Sequence, residues 1–286
     1  MRIVSLLPSA TEIVGALGLT HLLVGRSAEC DYPVDVSALP VVTSARIGSE
    51  ALSGAQIDQA VRDAVLDGSS LYAVDAALIR ELDPDLVITQ DLCRVCAVST
   101  DEVRRIEAFD CDVLALDPHT IAEVEDSVHT VAGRLGRPEL AVPVVAGMHD
   151  TIGSAAAAVD GLPRRRVFLA EWHDPPFASG HWLPEMVALA GGADVLGEAG
   201  APSRPVTWDD VDAADPEIVI VAPCGFDAAR AARETAPRGD RPTVCVDANA
   251  YYSRPAPRIA AGVAQLAHLL HPGAAPDPGM PAITLE

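Results

Sequence analysis

The sequence predicts an α/β protein of two lobes, each built on a parallel sheet. Three observations carry that prediction. Short apolar, β-branched runs are separated by segments of helix length, the pattern of strands joined by crossover helices. A unit of helix, Asp-Pro and apolar strand occurs twice, as Leu82-Asp-Pro-Asp-Leu-Val-Ile88 and Ala214-Asp-Pro-Glu-Ile-Val-Ile220. Between the two sets of runs lies a long stretch rich in Ala, Val, Glu and Leu, from Ile121 to Val159.

In chain order, Ile3-Val-Ser-Leu6 reads as the first strand, and Ser9-Ala-Thr-Glu12 has the form of a capping box that starts a helix. Leu22-Leu-Val24 is the second strand. A helical piece from Asp75 to Leu82 ends at Asp83-Pro84, and the strand Leu86-Val-Ile88 follows it at once. Val113-Leu-Ala-Leu116 completes the first set of runs. Gly136-Arg-Pro138 breaks the central stretch into a helix of the first lobe and a long linking helix from about Leu140, which Gly161-Leu-Pro163 ends. The second set comprises Val167-Phe-Leu169, Ile218-Val-Ile-Val221 and Thr243-Val-Cys-Val246, with a helix ending at Asp215-Pro216 before the middle run. From Pro272 the chain is rich in Pro, Gly and Ala and reads as irregular. The boundaries predicted are a first lobe over residues 1–138, a linking helix over 139–162 and a second lobe over 163–286.

Composition narrows the function. The formal charge is −21 and every basic residue is Arg, none Lys. Such a surface repels nucleic acid and anionic membranes. It also lacks the amine for Schiff-base chemistry and the Lys of a P-loop. No uncharged run approaches the ~18–20 residues that span a bilayer. The opening residues carry no secretory pattern, and the six cysteines, at positions without small-domain spacing, do not form a secreted disulfide framework. The expectation is a cytoplasmic location. The Gly-x-Gly-x-x-Gly, Gly-x-Ser-x-Gly, His-Glu-x-x-His and Walker A signatures are all missing; a Cys nucleophile at Cys93 or Cys224 with His181 stays open, and binding is favoured over catalysis.

Unusual residues gather where predicted strands end, the place where open α/β sheets hold ligands. After the second strand come Glu29, Cys30 and Tyr32. After Leu86–Ile88 comes Thr89-Gln-Asp-Leu-Cys-Arg-Val-Cys-Ala-Val98, with Gln90, Asp91 and the Cys-x-x-Cys pair Cys93 and Cys96. That spacing suits one edge of a metal site or a redox disulfide, with Cys30 and Cys224 as further candidate metal ligands. Cys111 and Cys245, in or beside strands, read as packing residues. After Val167–Leu169 comes the densest segment, Glu171-Trp-His-Asp-Pro-Pro-Phe-Ala-Ser-Gly-His-Trp182. It places Glu171, Trp172, Phe177, His181 and Trp182 together in a chain whose aromatic content is only 4%. Flat apolar rings with a few polar groups are how a large planar ligand is held. Gly225, in Pro223-Cys-Gly-Phe226, permits close backbone approach, and Asn249, Tyr251 and Arg254 follow the last run. This layout predicts a ligand cleft between the lobes.

Several stretches together resemble the periplasmic-binding-protein-like receptors for cobalamin and iron–siderophore complexes, in their cobalamin-binding branch. They are Ile3-Val-Ser-Leu-Leu-Pro-Ser-Ala-Thr-Glu-Ile13, Asp31-Tyr-Pro33, Leu82–Ile88, Pro175-Pro-Phe-Ala-Ser-Gly180, Ala190-Gly-Gly-Ala193 and Ser253-Arg-Pro-Ala-Pro-Arg-Ile259. The resemblance implies two Rossmann-like lobes on one rigid helix, with Tyr32, the loop from Gln90, Trp172, Phe177 and residues 249–252 in the cleft. It also implies an ABC permease as partner, docked through one acid on each lobe. Asp209 matches the second-lobe acid, whereas the first-lobe position falls on Ala77, with Asp75 nearby. The cysteine set, Glu171-Trp-His and Gly180-His-Trp depart from the usual cobalamin receptor.

Two main readings follow: a binding protein for cobalamin or a related metal chelate, and a cytosolic metalloprotein or enzyme whose thiols hold zinc or an iron–sulfur cluster. A third is a site for a nucleoside or other heterocycle stacked on Trp172 and Trp182.

Overall fold

All seven apolar runs named above are strands in the computed structural model, which describes residues 1–46, 48, 51–67, 70–90, 111–237 and 239–286. The chain forms two compact units, one of residues 1–118 and 125–144, the other of 119–124 and 145–286.

The first unit holds a parallel sheet of β1 (Ile3–Ser5), β2 (Leu23–Arg26), β5 (Leu86–Gln90) and β6 (Asp112–Leu116), in the order β2-β1-β5-β6. The described part of β5 is buried on both faces, as a central parallel strand must be. Helix α1 (Pro8–Ala16) starts differently from the prediction. Leu7 is the N-cap, no side chain caps the helix, and Pro8 opens it. Proline has its φ preset and no N–H to satisfy, so the predicted capping box at Ser9–Glu12 has no work to do. Helix α2 (Gly54–Asp67) lies between the two strands of a small antiparallel pair, β3 (Thr43–Ala45) and β4 (Tyr72–Val74), and helix α3 (Ala76–Leu82) leads into β5. Val4, Leu6, Val42, Ile79 and Val87 form a fully buried cluster against which Cys111 packs.

Helices α4 (Ile121–Arg134) and α5 (Ala141–Ala158) follow, parted by Gly136 at φ 69°. The second unit is a larger sheet around β7 (Arg165–His173). On one side β7 pairs in parallel with β11 (Ile218–Val221), which pairs with β12 (Thr243–Val246). On the other side its first residues pair with β9 (Gly192–Asp194) and its last with β8 (Pro176–Ala178), the latter antiparallel. Beyond β8 lies the two-residue β10 (Arg204–Pro205). Helices α6 (Leu183–Leu189), α7 (Trp208–Ala214), α8 (Ala228–Glu234), α9 (Ala248–Tyr251) and α10 (Ile259–Leu270) connect these strands. The tail corrects the sequence prediction. After the Pro- and Gly-rich residues 272–281 the chain forms β13 (Ala282–Leu285), antiparallel to β12 with Thr243 opposite Leu285. Four residues able to extend suffice once β12 offers an open edge.

The internal repeat extends to atomic detail. Helix α3 ends at Asp83 and α7 at Asp215, both left-handed, at φ 44° and 49°. In each unit an arginine at the start of a sheet strand, Arg2 just before β1 and Arg166 as the second residue of β7, then clamps the helix end. Arg2 donates from Nε and Nη2 to the Leu82 carbonyl at 2.9 and 2.6 Å, and from Nε to the Asp83 carbonyl at 3.2 Å. Arg166 donates to the carbonyls of Asp215, at 3.0 Å, and Ala214. The acid two residues past each αL aspartate returns the contact by accepting the arginine's own backbone N–H: Asp85 from Arg2 at 2.6 Å, Glu217 from Arg166 at 2.7 Å. A cation at a helix carboxyl end satisfies orphan carbonyls and opposes the helix dipole.

Candidate functional site

In the first unit the carboxyl ends of the strands are closed by hydroxyls and a thiol. The Thr11 hydroxyl lies 2.8 Å from that of Ser5 and 3.0 Å from Cys30 Sγ, while Ser27 Oγ is 3.1 Å from the same sulfur. All four residues are buried. Arg26 ties down the following loop by donating to the carbonyls of Ser27, Cys30 and Ser37. Among the described residues, the Cys30 sulfur, expected as a metal ligand, is enclosed in a buried hydrogen-bonded cluster. Glu29 and Tyr32 are exposed on that loop. Gln90 is not in a loop; it is the buried last residue of β5, paired with Leu116. Asp91, Cys93 and Cys96 lie outside the described residues. Cys224 is a free, half-buried thiol. Among the described residues no three His, Cys, Asp or Glu side chains converge as a closed metal site requires. Cys245 is a free thiol buried in β12, its pKa pushed up to about 11 by desolvation, the state of an inert packing cysteine.

The second unit is different. Strand β7 runs on past its neighbours and turns back through the hairpin to β8. Its last residues meet the loop after β11. There Gly225 takes φ 78°, a conformation that costs glycine little, and delivers Phe226. The Trp172 ring stands edge-on to Phe226 with centroids 5.3 Å apart, and His173 lies 5.6 Å from the same ring. The Arg230 guanidinium sits 3.8 Å from the Phe226 centroid, held there by Glu234, whose carboxylate accepts from Nε at 2.9 Å. Trp172 is half-buried and its indole N–H donates to the Asp174 carbonyl at 3.1 Å, so the ring is held in place while part of it stays exposed. Phe177, opposite Trp172 in the β7–β8 ladder, is also half-buried. Trp172 and Phe177 thus form a half-exposed aromatic platform backed by Phe226, which is only 2% exposed and carries the Arg230 guanidinium over its ring.

Trp182 does not belong to that platform. It is 4% exposed and its indole N–H donates to the Tyr252 carbonyl at 2.8 Å. Tyr252 is itself buried and donates to Gln265 Oε1 at 2.7 Å. The sequence reading of Trp182 as a stacking ring is therefore corrected to a core residue. The third tryptophan, Trp208, packs edge-on against Phe168 at 5.9 Å. Arg254 is buried and donates to Asn249 Oδ1 at 2.9 Å, bracing the segment of α9, on which Tyr251 is half-buried.

Around the turn after β8, structure is set by close contacts. A Cβ on Gly180 would stand 2.4 Å from the Ala201 carbonyl oxygen, so only glycine fits. Its N–H is taken by Glu171 Oε2 at 3.1 Å. Ser179 donates to Asp194 at 2.6 Å, and Asp194 also accepts from the N–H groups of Leu196 and Gly197. Desolvation outweighs these bonds and raises the Asp194 pKa. His181 follows Gly180, and its ring lies 5.3 Å from that of His119.

Sequence reasoning missed Phe226, Arg230 and His119. Phe226 and Arg230 are four residues apart, with Arg230 on α8, and that spacing was the available signal. His119 follows β6 in Asp117-Pro-His119, a strand end like the others.

Comparison with solved structures supports the fold. The periplasmic vitamin B12 binding protein BtuF of Vibrio cholerae superposes with a TM-score of 0.66 at 21% identity, covering 94% of this chain and 96% of that one. A periplasmic heme binding protein from Pseudomonas aeruginosa gives 0.71 at 18% identity, covering 100% and 95%. In sequence, the vitamin B12-binding protein of Salmonella typhimurium is 24% identical over 223 residues, 77% of this chain and 72% of that protein. That of Yersinia pestis strain Pestoides F is 22% identical over 267 residues, 93% and 84%. The two solved structures are described as periplasmic, and none of these relatives lends support to a cytoplasmic location or to a zinc or iron–sulfur centre. The periplasmic binding protein family model matches residues 3–239, and the chain belongs to that family.

Proposed function

We propose that this chain binds cobalamin, or a related metallated macrocycle, as the substrate-binding component of an ABC transporter. The observation that carries the reading is the platform at the carboxyl ends of β7 and β11: Trp172 edge-on to Phe226, with Phe177 beside Trp172 and Arg230 against Phe226. A corrin or porphyrin offers a broad flat face and a rim of amides or carboxylates. The half-exposed rings of Trp172 and Phe177 match the face, with the buried Phe226 as their backing, and a guanidinium matches the rim. The relatives named for vitamin B12 and the neighbour named for heme share that ligand chemistry. Asp209 is exposed in the first turn of α7, where it suits docking to a permease arginine. In the first unit Ala77 is exposed but uncharged, and the Asp75 carboxylate already caps α3 through the Leu78 N–H. We infer that permease docking rests chiefly on the second unit.

The test is a titration of the full chain with cyanocobalamin and, in parallel, hemin, followed by tryptophan fluorescence and visible absorption. Saturable quenching by cyanocobalamin is expected. Trp172→Ala is expected to weaken it about tenfold or more, since losing one stacked ring removes roughly 1–2 kcal/mol. Quenching by hemin alone would move the ligand from corrin to porphyrin. No binding of either, or binding indifferent to Trp172→Ala and Phe226→Ala, would sink the reading.

A further inference from the structure

We propose that His119 and His181 form a two-imidazole site for a first-row divalent transition-metal ion. The rings are 5.3 Å apart between centroids and inclined at 46°, so they are not stacked. Two imidazoles bound to one tetrahedral ion at about 2.0–2.1 Å have ring centres roughly 5 Å apart, and the observed spacing fits that arrangement. Both residues are half-buried, which leaves the pair reachable by an ion.

Each histidine is held in place at a cost or by a dedicated contact. His181 has φ 51°, in the left-handed region that a side chain with a Cβ enters at an energetic penalty. Two backbone bonds keep it there: its N–H donates to the Ala201 carbonyl at 2.7 Å, and its carbonyl accepts from Gly200 at 2.9 Å. Gly180, with no room for a Cβ, and the Glu171 carboxylate on its N–H fix the preceding residue. The buried Trp182 ring backs the His181 imidazole at 5.8 Å. On the other side the His119 N–H is bound by Glu123 Oε2 at 2.5 Å. Glu185, on the helix that follows His181, accepts from the Ile121 N–H at 2.8 Å and so ties the two segments together. Glycine would satisfy the backbone at residue 181 without strain, and the residue present there adds an imidazole beside a second imidazole.

Among the described residues no third His, Cys, Asp or Glu completes a closed set. The described residues thus supply two donors to the ion. Imidazole donors select zinc, copper, nickel, cobalt or iron over magnesium and calcium. The inference is independent of the macrocycle reading, because the probe is the metal alone.

The experiment is a titration of the full, reduced chain with Co(II), read by visible absorption. A saturable ligand-field spectrum without thiolate charge-transfer bands is expected. His119→Ala and His181→Gly should each weaken binding at least about tenfold, since even the hydrogen-bond partners of metal ligands are worth about 10- to 100-fold. His181→Gly keeps the left-handed turn and should melt no lower than the parent, which separates ligand loss from unfolding. His129→Ala, on the exposed face of α4, should leave the spectrum unchanged. Co(II) bound equally well by both site variants, bound only with thiolate bands, or not bound at all would overturn the proposal.

Discussion

The two units share a scaffold and differ at the end of its central strand. In each, an arginine opens the strand, clamps the preceding αL helix end and is held in turn by the acid two residues past the αL aspartate. Past that point they diverge. Strand β1 stops at Ser5, and its carboxyl end is sealed by the buried Ser5, Thr11, Ser27 and Cys30 cluster. Strand β7 runs to His173, which is buried, folds back as a hairpin and presents Trp172 and Phe177, with His181 just beyond. A conserved geometry with unequal strand ends separates what holds the fold from what meets a ligand: function is grafted at the ends, and the scaffold tolerates it.

The largest effect that tests this division is loss of the clamps. Arg166→Ala and Arg2→Ala each remove charge-assisted bonds to helix-end carbonyls, and each is expected to cost about 2 kcal/mol. By calorimetry that is a fall in Tm of several degrees. Lysine at either position should recover only part of it, because it lacks the two-pronged donor that reaches both carbonyls. A clamp variant with an unchanged Tm would reduce the repeat to a coincidence of sequence.

A smaller effect contrasts the two strand ends. Cys30→Ala deprives two buried hydroxyls of a partner and should cost about 1–2 kcal/mol, while cyanocobalamin still quenches the tryptophans. Trp172→Ala should lose the quenching instead. A Cys30→Ala protein that keeps its stability but fails to bind would return the thiol to the site and break the contrast.

Much of this was legible in sequence wherever the signal is local. The seven strands show as apolar runs, and the Asp-Pro pairs mark both helix ends because a residue before proline leaves the helical region. The clamps were not legible. Arg2 and Leu82 are far apart in sequence, and an exposed arginine before a strand has no pattern of its own. The same distance hides His119 from His181. Trp172 and Trp182 looked equivalent because both sit in one aromatic-rich segment; only packing shows that one is half-open and the other donates into the core. Strand β13 was hidden because its Ala-Ile-Thr-Leu gains its conformation from the edge of β12 rather than from its own composition.

The smallest effect is also the most direct measure of how alike the two repeats are. Asp83 and Asp215 adopt φ 44° and 49°, a region that costs an L-residue energy and that glycine enters freely. Both precede proline, which narrows their backbone further. Among the described residues neither carboxylate has a hydrogen-bond or ion-pair partner to lose. Replacing either with glycine therefore relieves strain and removes no contact, though glycine gives back part of the gain by loosening the unfolded chain. The net expectation is a stabilisation of about 0.5–1 kcal/mol at each site, read as a higher midpoint in urea with an unchanged slope. The two gains should match, because the arginine clamps hold the same carbonyls in the same geometry. A gain at Asp83 with a loss at Asp215 would show that the second unit's copy has acquired a constraint of its own, and would draw the boundary of the grafted site back to the start of β11.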